Sequence, residues 1–463
     1  MRSEQYDVLV VGAGSAGVAA AVASARNGAR TLLIDSGPSI GGELLSGMTI
    51  DGAINARGER VIGGVIDDIV NECRALGGYA RELNDWRLIR YIACDPEYMK
   101  MAVARVVYGS GAEVRLNTFA DDVARNGDRI EGVIVRDKQG RSLITANIYI
   151  DCSGDADLCA LAGGEMLPPD KDSKPQPVSM MFRMAGVETK PLLEFVRQHP
   201  EYFAVGESDA IRGGRSDREI AEEIWKQGEP CVFLKGDADF LGQAIARGEM
   251  FPTALIMIQP TSAARREVCV NATRITLDDP LVSRDYGRAF GVLIDQVRQC
   301  SSYLARRVPG FENAALSGVA PRIGVRETRR ILGDEVLDGD DVFNGRKRED
   351  GIAKGCHHID IHQEGTGQIR IPVADGGSYD IPFATLIPAG LSNVMVAGRC
   401  FSADRRAQGS ARVMGGCLAM GQAVGTAASM LSSTNAPADV RAVPVKHLRT
   451  RLKEQGAILD GTH

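Results

Sequence analysis

Several features are missing from this chain, and each absence narrows what it can be. No two of the ten cysteines, spread from Cys73 to Cys417, form a C-x-x-C pair, and 463 residues hold enough apolar material to need no covalent staples. A disulfide miniprotein is excluded, and the cysteines are expected to be reduced thiols of a cytoplasmic protein. No stretch of about 18 apolar residues occurs, and Met1 leads into Tyr6–Val11 without a charged-then-hydrophobic export signal, so no membrane partner is expected. Positive charge is not in excess: 54 basic against 60 acidic side chains leave −6, and polyphosphate repels such a chain, so nucleic acid is not an expected partner. There is no internal repeat and no low-complexity tract. Histidine is scarce, with six in all and none before His199.

What is present begins at residue 6. Tyr6–Val11 is a short β-rich apolar run suited to a buried parallel strand, and it feeds directly into Gly12-Ala-Gly-Ser-Ala-Gly17. An alanine-rich helix, Val18–Asn27, ends at Gly28, and a second strand, Thr31–Asp35, ends in an acid. This is the pattern of a dinucleotide site. Gly12 permits the tight turn, Gly14 with Ser15 and Ala16 brings backbone amides to a pyrophosphate at the helix N-terminus, Gly17 allows close packing, and Asp35, followed by Ser36, accepts ribose hydroxyls. Gly41-Gly42-Glu43 offers a further close backbone approach, and no second G-x-G-x-x-G occurs, which points to a flavin dinucleotide rather than to a separate nicotinamide domain.

Further along, apolar residues recur at helical intervals from Val61 to Leu76, Asp95-Pro96 starts another helix, Glu113–Leu116 reads as a parallel strand, and Asp121–Ile150 reads as a β-meander with turns at Asn126-Gly127 and Gln139-Gly140. Pro168–Pro177 is a loop-like crossing. Beyond it come strand runs at Val178–Met184, Ala254–Gln259 and Val268–Ile275 and helical runs at Ala221–Gln227 and Tyr286–Val308. The expected fold is α/β: a Rossmann-like FAD-binding domain with a parallel sheet and β-meander, formed by residues 1–167 and 320–435. An α+β substrate domain is inserted at 168–319, and a tail helix lies at 436–463. The second FAD-binding part would end with strand Asn393–Ala397 and the small-residue helix Gly415–Leu431.

The sequence resembles the FAD-dependent oxidoreductases of the glutathione-reductase-like superfamily, in particular a bacterial group with a distinctive C-terminal signature. That signature reads here as Gly398-Arg-Cys-Phe-Ser-Ala403, Arg412-Val-Met414 and Gly421-Gln-Ala-Val-Gly-Thr-Ala-Ala428; Ile150–Asp157, Pro309–Asn313, Gly324–Arg330 and Asp360-Ile-His362 also match. The resemblance implies FAD held by further backbone contacts at Ser153-Gly154-Asp155 and Gly398-Arg399, and a helix starting near Gly415-Gly416 aimed at the flavin pyrimidine. Gly421 and Gly425 serve either that role or helix packing. Covalent attachment of the flavin is not expected.

Three of the six histidines fall in Cys356-His-His-Ile-Asp-Ile-His362. In a strand His358, Asp360 and His362 share a face, with the outer pair about 13 Å apart, too far to share one metal ion. No metal is expected; the alternatives are a solvated strand edge or a histidine base, His358 or His362, oriented by Asp360. Seven arginines crowd the C-terminal part: Arg326, Arg329, Arg330, Arg399, Arg405, Arg406 and Arg412. Most are expected to solvate the surface, with Arg326 and Arg412 facing the active site to hold a carboxylate. Cys400 and Cys417 read as small core residues rather than a redox pair. The expected activity is hydride transfer from a small, carboxylate-bearing metabolite to flavin N5, with an electron acceptor the sequence does not identify and a possible homo-oligomer. The alternatives are flavin-dependent reduction of an activated C=C bond and a flavin-bound RNA-modifying protein.

Overall fold

The computed structural model describes residues 2–170, 174–432 and 439–463. The apolar run that opens the chain becomes Arg2–Val11, an inner strand of a seven-stranded sheet, with Thr31–Ile34 and Gly140–Asp151 parallel to it on either side. Glu113–Arg115 pairs parallel to Thr31–Ile34, and Val394–Val396 pairs parallel to Gly140–Asp151. Consecutive residues Val8–Val11 and Thr31–Ile34 are all buried, because both faces of these strands are covered; an unbroken apolar run, not an alternating one, suits that position. The meander consists of Phe119–Asn126, Arg129–Asp137 and Gly140–Asp151, antiparallel in turn, and its last strand also belongs to the parallel part, so meander and sheet are continuous.

The Ser15–Arg26 helix packs along the Met414–Ser432 helix. A Cβ at Gly421 would lie 2.1 Å from the Ala16 carbonyl oxygen, and one at Gly425 would lie 2.2 Å from that of Ala20. Neither glycine lines the cleft described below, so of the two roles left open for this pair the geometry favours helix packing.

A second sheet has five antiparallel strands in the order Val232–Lys235, Leu255–Ser262, Glu267–Asn271, Phe182–Ala185 and Ala315–Val319. One hydrophobic core gathers residues from Tyr6 to Ala162 and from Ile331 to Leu459; another gathers residues from Val178 to Ile323. The 25-residue helix Ser283–Arg307 closes the second core with Ala289, Leu293, Val297, Cys300 and Leu304. Three local readings shift. The helix expected from Val61 starts at Val65, because Gly64, at φ +84°, breaks the run and its N–H is taken by Asp67. The strand expected over Val178–Met184 is regular only at Phe182–Ala185, since Val178 and Ser179 bridge instead to Ile275 and Gly324. An antiparallel sheet of Ile50–Ile54, Ala80–Asn84 and Arg90–Cys94 was not anticipated. Part of the Pro168–Pro177 crossing and the junction at 435–436 lie outside the described residues. The tail helix is Val445–Glu454, and Leu448, Leu452 and Leu459 enter the first core. Among the described residues no helix is long and apolar enough to cross a membrane.

Candidate active site

Between the two cores lies a cleft of about 600 Å³, lined from the Rossmann-like side by Gly12, Asp35 and Gly398, from the second core by Met181, and from the second sheet by Phe233 and Met257. One end is built from main chain. Gly12, at φ +97°, turns so tightly that a Cβ would sit 2.4 Å from the Cys152 carbonyl oxygen, and a Cβ at Gly17 would sit 1.7 Å from that of Gly12. Gly14 is different: a Cβ there meets no protein atom within 4 Å, and Gly14 caps the helix with no side-chain hydrogen bond. Open space in front of an uncapped helix N-terminus fits a pyrophosphate. Asp35 closes the loop, its two carboxylate oxygens accepting the N–H groups of Ala13 at 2.6 Å and Gly37 at 2.7 Å; each oxygen keeps a further lone pair for a ribose hydroxyl. These features match the adenosine end of FAD.

The other expected cofactor contacts divide. Ser15, Ala16, Ser36, Gly42, Glu43, Ser153, Gly154, Asp155 and Arg399 also line the cleft, whereas Gly17, Gly41, Gly415 and Gly416 stand behind its surface and shape it. Gly415 presses on the Asp51 carbonyl and Gly416 on that of Ala411, so the lining at this helix start is Arg412, Val413, Met414 and Cys417. Asp155 and Arg399 meet through side chains at 2.8 Å, with Thr328 bonded to both. Burial works against ionising Asp155, but Arg399 and the Thr328 hydroxyl outweigh it and hold the carboxyl below its ordinary range. Desolvation raises the Glu43 carboxyl, and Arg322, Arg399 and Arg326 do not cancel it.

The far end is built from charged side chains. Regular strand begins only at Ile359, so His358 lies before it and the single-face alternation from His358 to His362 does not hold. Nor is this a solvated edge, because His357, His358 and Asp360 are buried and His362 nearly so. His357 and His358 stack with ring centroids 4.0 Å apart. The Asp360 carboxylate takes Nε2 of His362 at 2.9 Å on one oxygen and the Gln368 amide at 2.6 Å on the other. With Nε2–H donated to Asp360, Nδ1 of His362 carries the free lone pair. Burial opposes charge on Asp360, yet the hydrogen bond from His362 and the charge of Arg412 hold it ionised; burial pushes His362 down to about 3 and His357 down to about 4, so both imidazoles are neutral bases at neutral pH.

Arginines surround this pair. Arg412 reaches Asp360 at 3.5 Å, and Arg326, which donates to the Pro177 carbonyl at 2.5 Å, lines the cleft with Arg274 and Arg87. Burial lowers Arg326 to about 9, still charged at neutral pH. The expectation that most of the C-terminal arginines solvate the surface fails: Arg399 pairs with Asp155, Arg405 with Glu327, Arg329 with Asp157, and Arg330 is buried on the Ala403 carbonyl. They are fixed within the molecule because the two cores leave charged loops between them. Among the described residues, Nη2 of Arg87, Nε of Arg274, Nε of Arg412 and Nδ1 of His358 at this end have no hydrogen-bond partner.

Asp51, Asp85, Arg87, Arg274 and His357 were not singled out by sequence reasoning. Asp51 sits in the apolar strand Ile50–Ile54, a charged residue in an otherwise buried run, and that was the available signal. Its Oδ2 lies 4.0 Å from Nε2 of His357, and burial, outweighing the Thr49 hydroxyl, raises its carboxyl to about 7. Asp85 accepts the amides of Arg87, Leu88 and Ile89 and still rises to about 6 through burial.

The chain is 42% identical over 91 residues to the tRNA uridine 5-carboxymethylaminomethyl modification enzyme MnmG of Treponema denticola, a stretch covering 19% of this chain and 13% of that protein. It is 30% identical over 156 residues to the digeranylgeranylglycerophospholipid reductase of Picrophilus torridus, covering 32% of this chain and 39% of that one. The chain thus spans well under half the length of either curated relative. A geranylgeranyl bacteriochlorophyll reductase-like protein from Thermoplasma acidophilum aligns over 98% of this chain and 84% of its own at 14% identity, with a TM-score of 0.45. The profile of the FAD-dependent oxidoreductases matches residues 7–452, and the chain belongs to that family as an enzyme whose cofactor is FAD.

Proposed function

We propose that the protein oxidises a small, carboxylate-bearing metabolite at a C–H next to oxygen, nitrogen or an activated carbon. The observation that carries this reading is the Asp360–His362 pair, 2.9 Å apart, set among arginines whose buried N–H groups lack acceptors. FAD, when bound, supplies a two-electron hydride acceptor. The chain supplies the rest: Arg326 and Arg412 orient the carboxylate, and His362, or His358 beside it, takes the proton released as the hydride leaves. Burial of the arginines makes an unmatched donor costly and therefore favours an anionic occupant. Lining of the cleft by Arg399 and Arg412–Met414 supports assignment to the glutathione-reductase-like bacterial group with the C-terminal signature described above. Ten buried, unbridged cysteines fit a cytoplasmic setting, and the net charge of −6 favours a small-molecule partner over RNA.

One observation favours the reverse reaction as a second reading. Asp51, raised to about 7, is a proton donor facing the same cleft, as reduction of an activated C=C bond requires. Anaerobic mixing separates the two. Bleaching of the oxidised flavin by a panel of small hydroxy and amino acids is expected; absence of bleaching together with reoxidation of reduced enzyme by an enoate overturns the oxidative reading.

A further inference from the structure

Resting on the reading that Arg326 and Arg412 in the cleft take a carboxylate, we propose that Arg87, held by Glu207 rather than by Asp360, forms a second anion pocket and that the substrate class is a dicarboxylate. Arg87 is 5% exposed and lines the cleft, yet among the described residues its Nη2 has no hydrogen-bond partner, and neither has Nδ1 of His358. Glu207 does not saturate it. That carboxylate already binds Arg370 in bidentate fashion, at 2.8 and 3.1 Å, and lies 3.2 Å from Nε of Arg87, so two guanidinium groups share one glutamate. The Phe233 ring, 5.1 Å from the guanidinium carbon, covers one face and leaves the edge as the open approach.

The two cationic groups are held by different carboxylates: Arg87 lies with Arg370 on Glu207, and Arg412 lies 3.5 Å from Asp360. A continuous chain, Arg370 to Gln368 to Asp360 to His362, fixes their spacing through bonds of 2.8, 2.6 and 2.9 Å. Asp51 and Asp85 line the same end of the cleft, and the Asp85 carboxylate is spent on the amides of Arg87, Leu88 and Ile89 rather than on the Arg87 guanidinium edge. A ligand with one carboxylate would satisfy one side and leave the other set of buried donors unmatched; a carboxylate at each end satisfies both.

The test uses FAD-loaded protein and the chain-matched acids butyrate and succinate, titrated at equal ionic strength and followed by the flavin absorption band and by calorimetry. Succinate is expected to bind at least about tenfold more tightly, the worth of one charge-assisted hydrogen bond. Arg87→Met should weaken succinate at least about tenfold more than butyrate, and Arg87→Lys, which keeps the charge but loses the fork, should give a smaller loss of the same sign. Equal affinities in the wild type, or a preference for succinate retained by both variants, overturns the second pocket. If butyrate binding depends on Arg412 and no preference exists, only the second pocket falls. If neither acid binds, or butyrate is indifferent to Arg412→Met, the parent reading falls with it.

Discussion

The two ends of the cleft solve the problem of holding a ligand in opposite ways. At the nucleotide end the Gly12–Gly17 loop offers main chain, the Asp35 side chain is already bonded to two amides, and Gly12 and Gly17 are dictated by approaches too close for a Cβ. At the histidine end, polar groups from four separated segments, around Arg87, Arg274, His358 and Arg412, are buried with hydrogen-bonding capacity unspent among the described residues. The first end offers its ligand backbone N–H groups and open space, and the second offers buried side chains. Shape and backbone dipole suffice to seat a cofactor that never reacts through its adenosine half, whereas chemistry requires groups whose proton affinity burial and neighbouring charges shift from its value in water.

The largest break in this comparison should come from a pair of glycines three residues apart. Gly17→Ala puts a methyl 1.7 Å from a carbonyl oxygen, so the turn itself must rearrange, and we expect loss of both the fold of this unit and bound flavin. Gly14→Ala meets no protein atom, so the apoprotein should melt within about 2 °C of wild type while flavin affinity falls at least about tenfold, because the methyl projects where the pyrophosphate sits. Thermal melting of apoprotein and the flavin-to-protein ratio measure the two separately. At the other end, His362→Gln should keep stoichiometric flavin but slow reduction by substrate about 10²- to 10⁴-fold, the usual worth of a general base. Stopped-flow absorbance reads this directly, and wild-type rates in both His362→Gln and His358→Gln would remove the base from this segment.

The same contrast explains what was legible in the sequence. The strand, glycine loop, helix and acid from Tyr6 to Asp35 are contiguous, so local pattern and spacing contain the whole motif, and the strands and helices of that unit fall within a few residues of expectation. The histidine cluster was visible as composition, but its geometry was not. Alternation assumed a strand that in fact starts at Ile359, and nothing local told a solvated edge from a buried pocket. Arg87, Asp85 and Arg274 reach the cleft from turns more than 180 residues apart, through the packing of one core on another. Their burial is a tertiary fact, and the only local trace was an ionisable residue such as Asp51 placed in an apolar run.

Asp51 gives the next effect in size. Its folded carboxyl is raised to about 7 from the 3.8 of an unexposed-to-charge reference, mainly by burial, so the folded state binds the extra proton between those values. The stability this contributes is present in full below the unfolded value and is lost as pH rises through the folded one. Facing it are Asp85, Asp360, His357 and Arg412, with Thr49 as hydrogen-bond donor. Asp51→Asn removes the titration, so the variant should gain on wild type as pH climbs from about 4 to about 7, by up to a few kcal/mol, and hold a constant difference above that. Denaturant unfolding at a series of pH values checks it; a difference independent of pH would mean that Asp51 is ionised throughout.

The smallest effect is expected at Cys417, which lines the cleft beside the cofactor and is nonetheless assigned no chemistry. Its thiol faces the Arg412 carbonyl at 3.1 Å, and burial pushes it up to about 12, so no thiolate forms at neutral pH. Cys400 is fully buried, and burial lifts its thiol well above the ordinary range as well. A serine at 417 can donate the same hydrogen bond to the carbonyl, so Cys417→Ser should leave substrate-driven flavin reduction within about twofold of wild type. Anaerobic reductive titration sharpens the point, since two electrons per flavin are expected to complete the bleaching in both proteins. An uptake of four in the wild type and two in the variant would make the thiols a second redox centre, and the nucleotide side of the cleft would then be reactive rather than a passive seat.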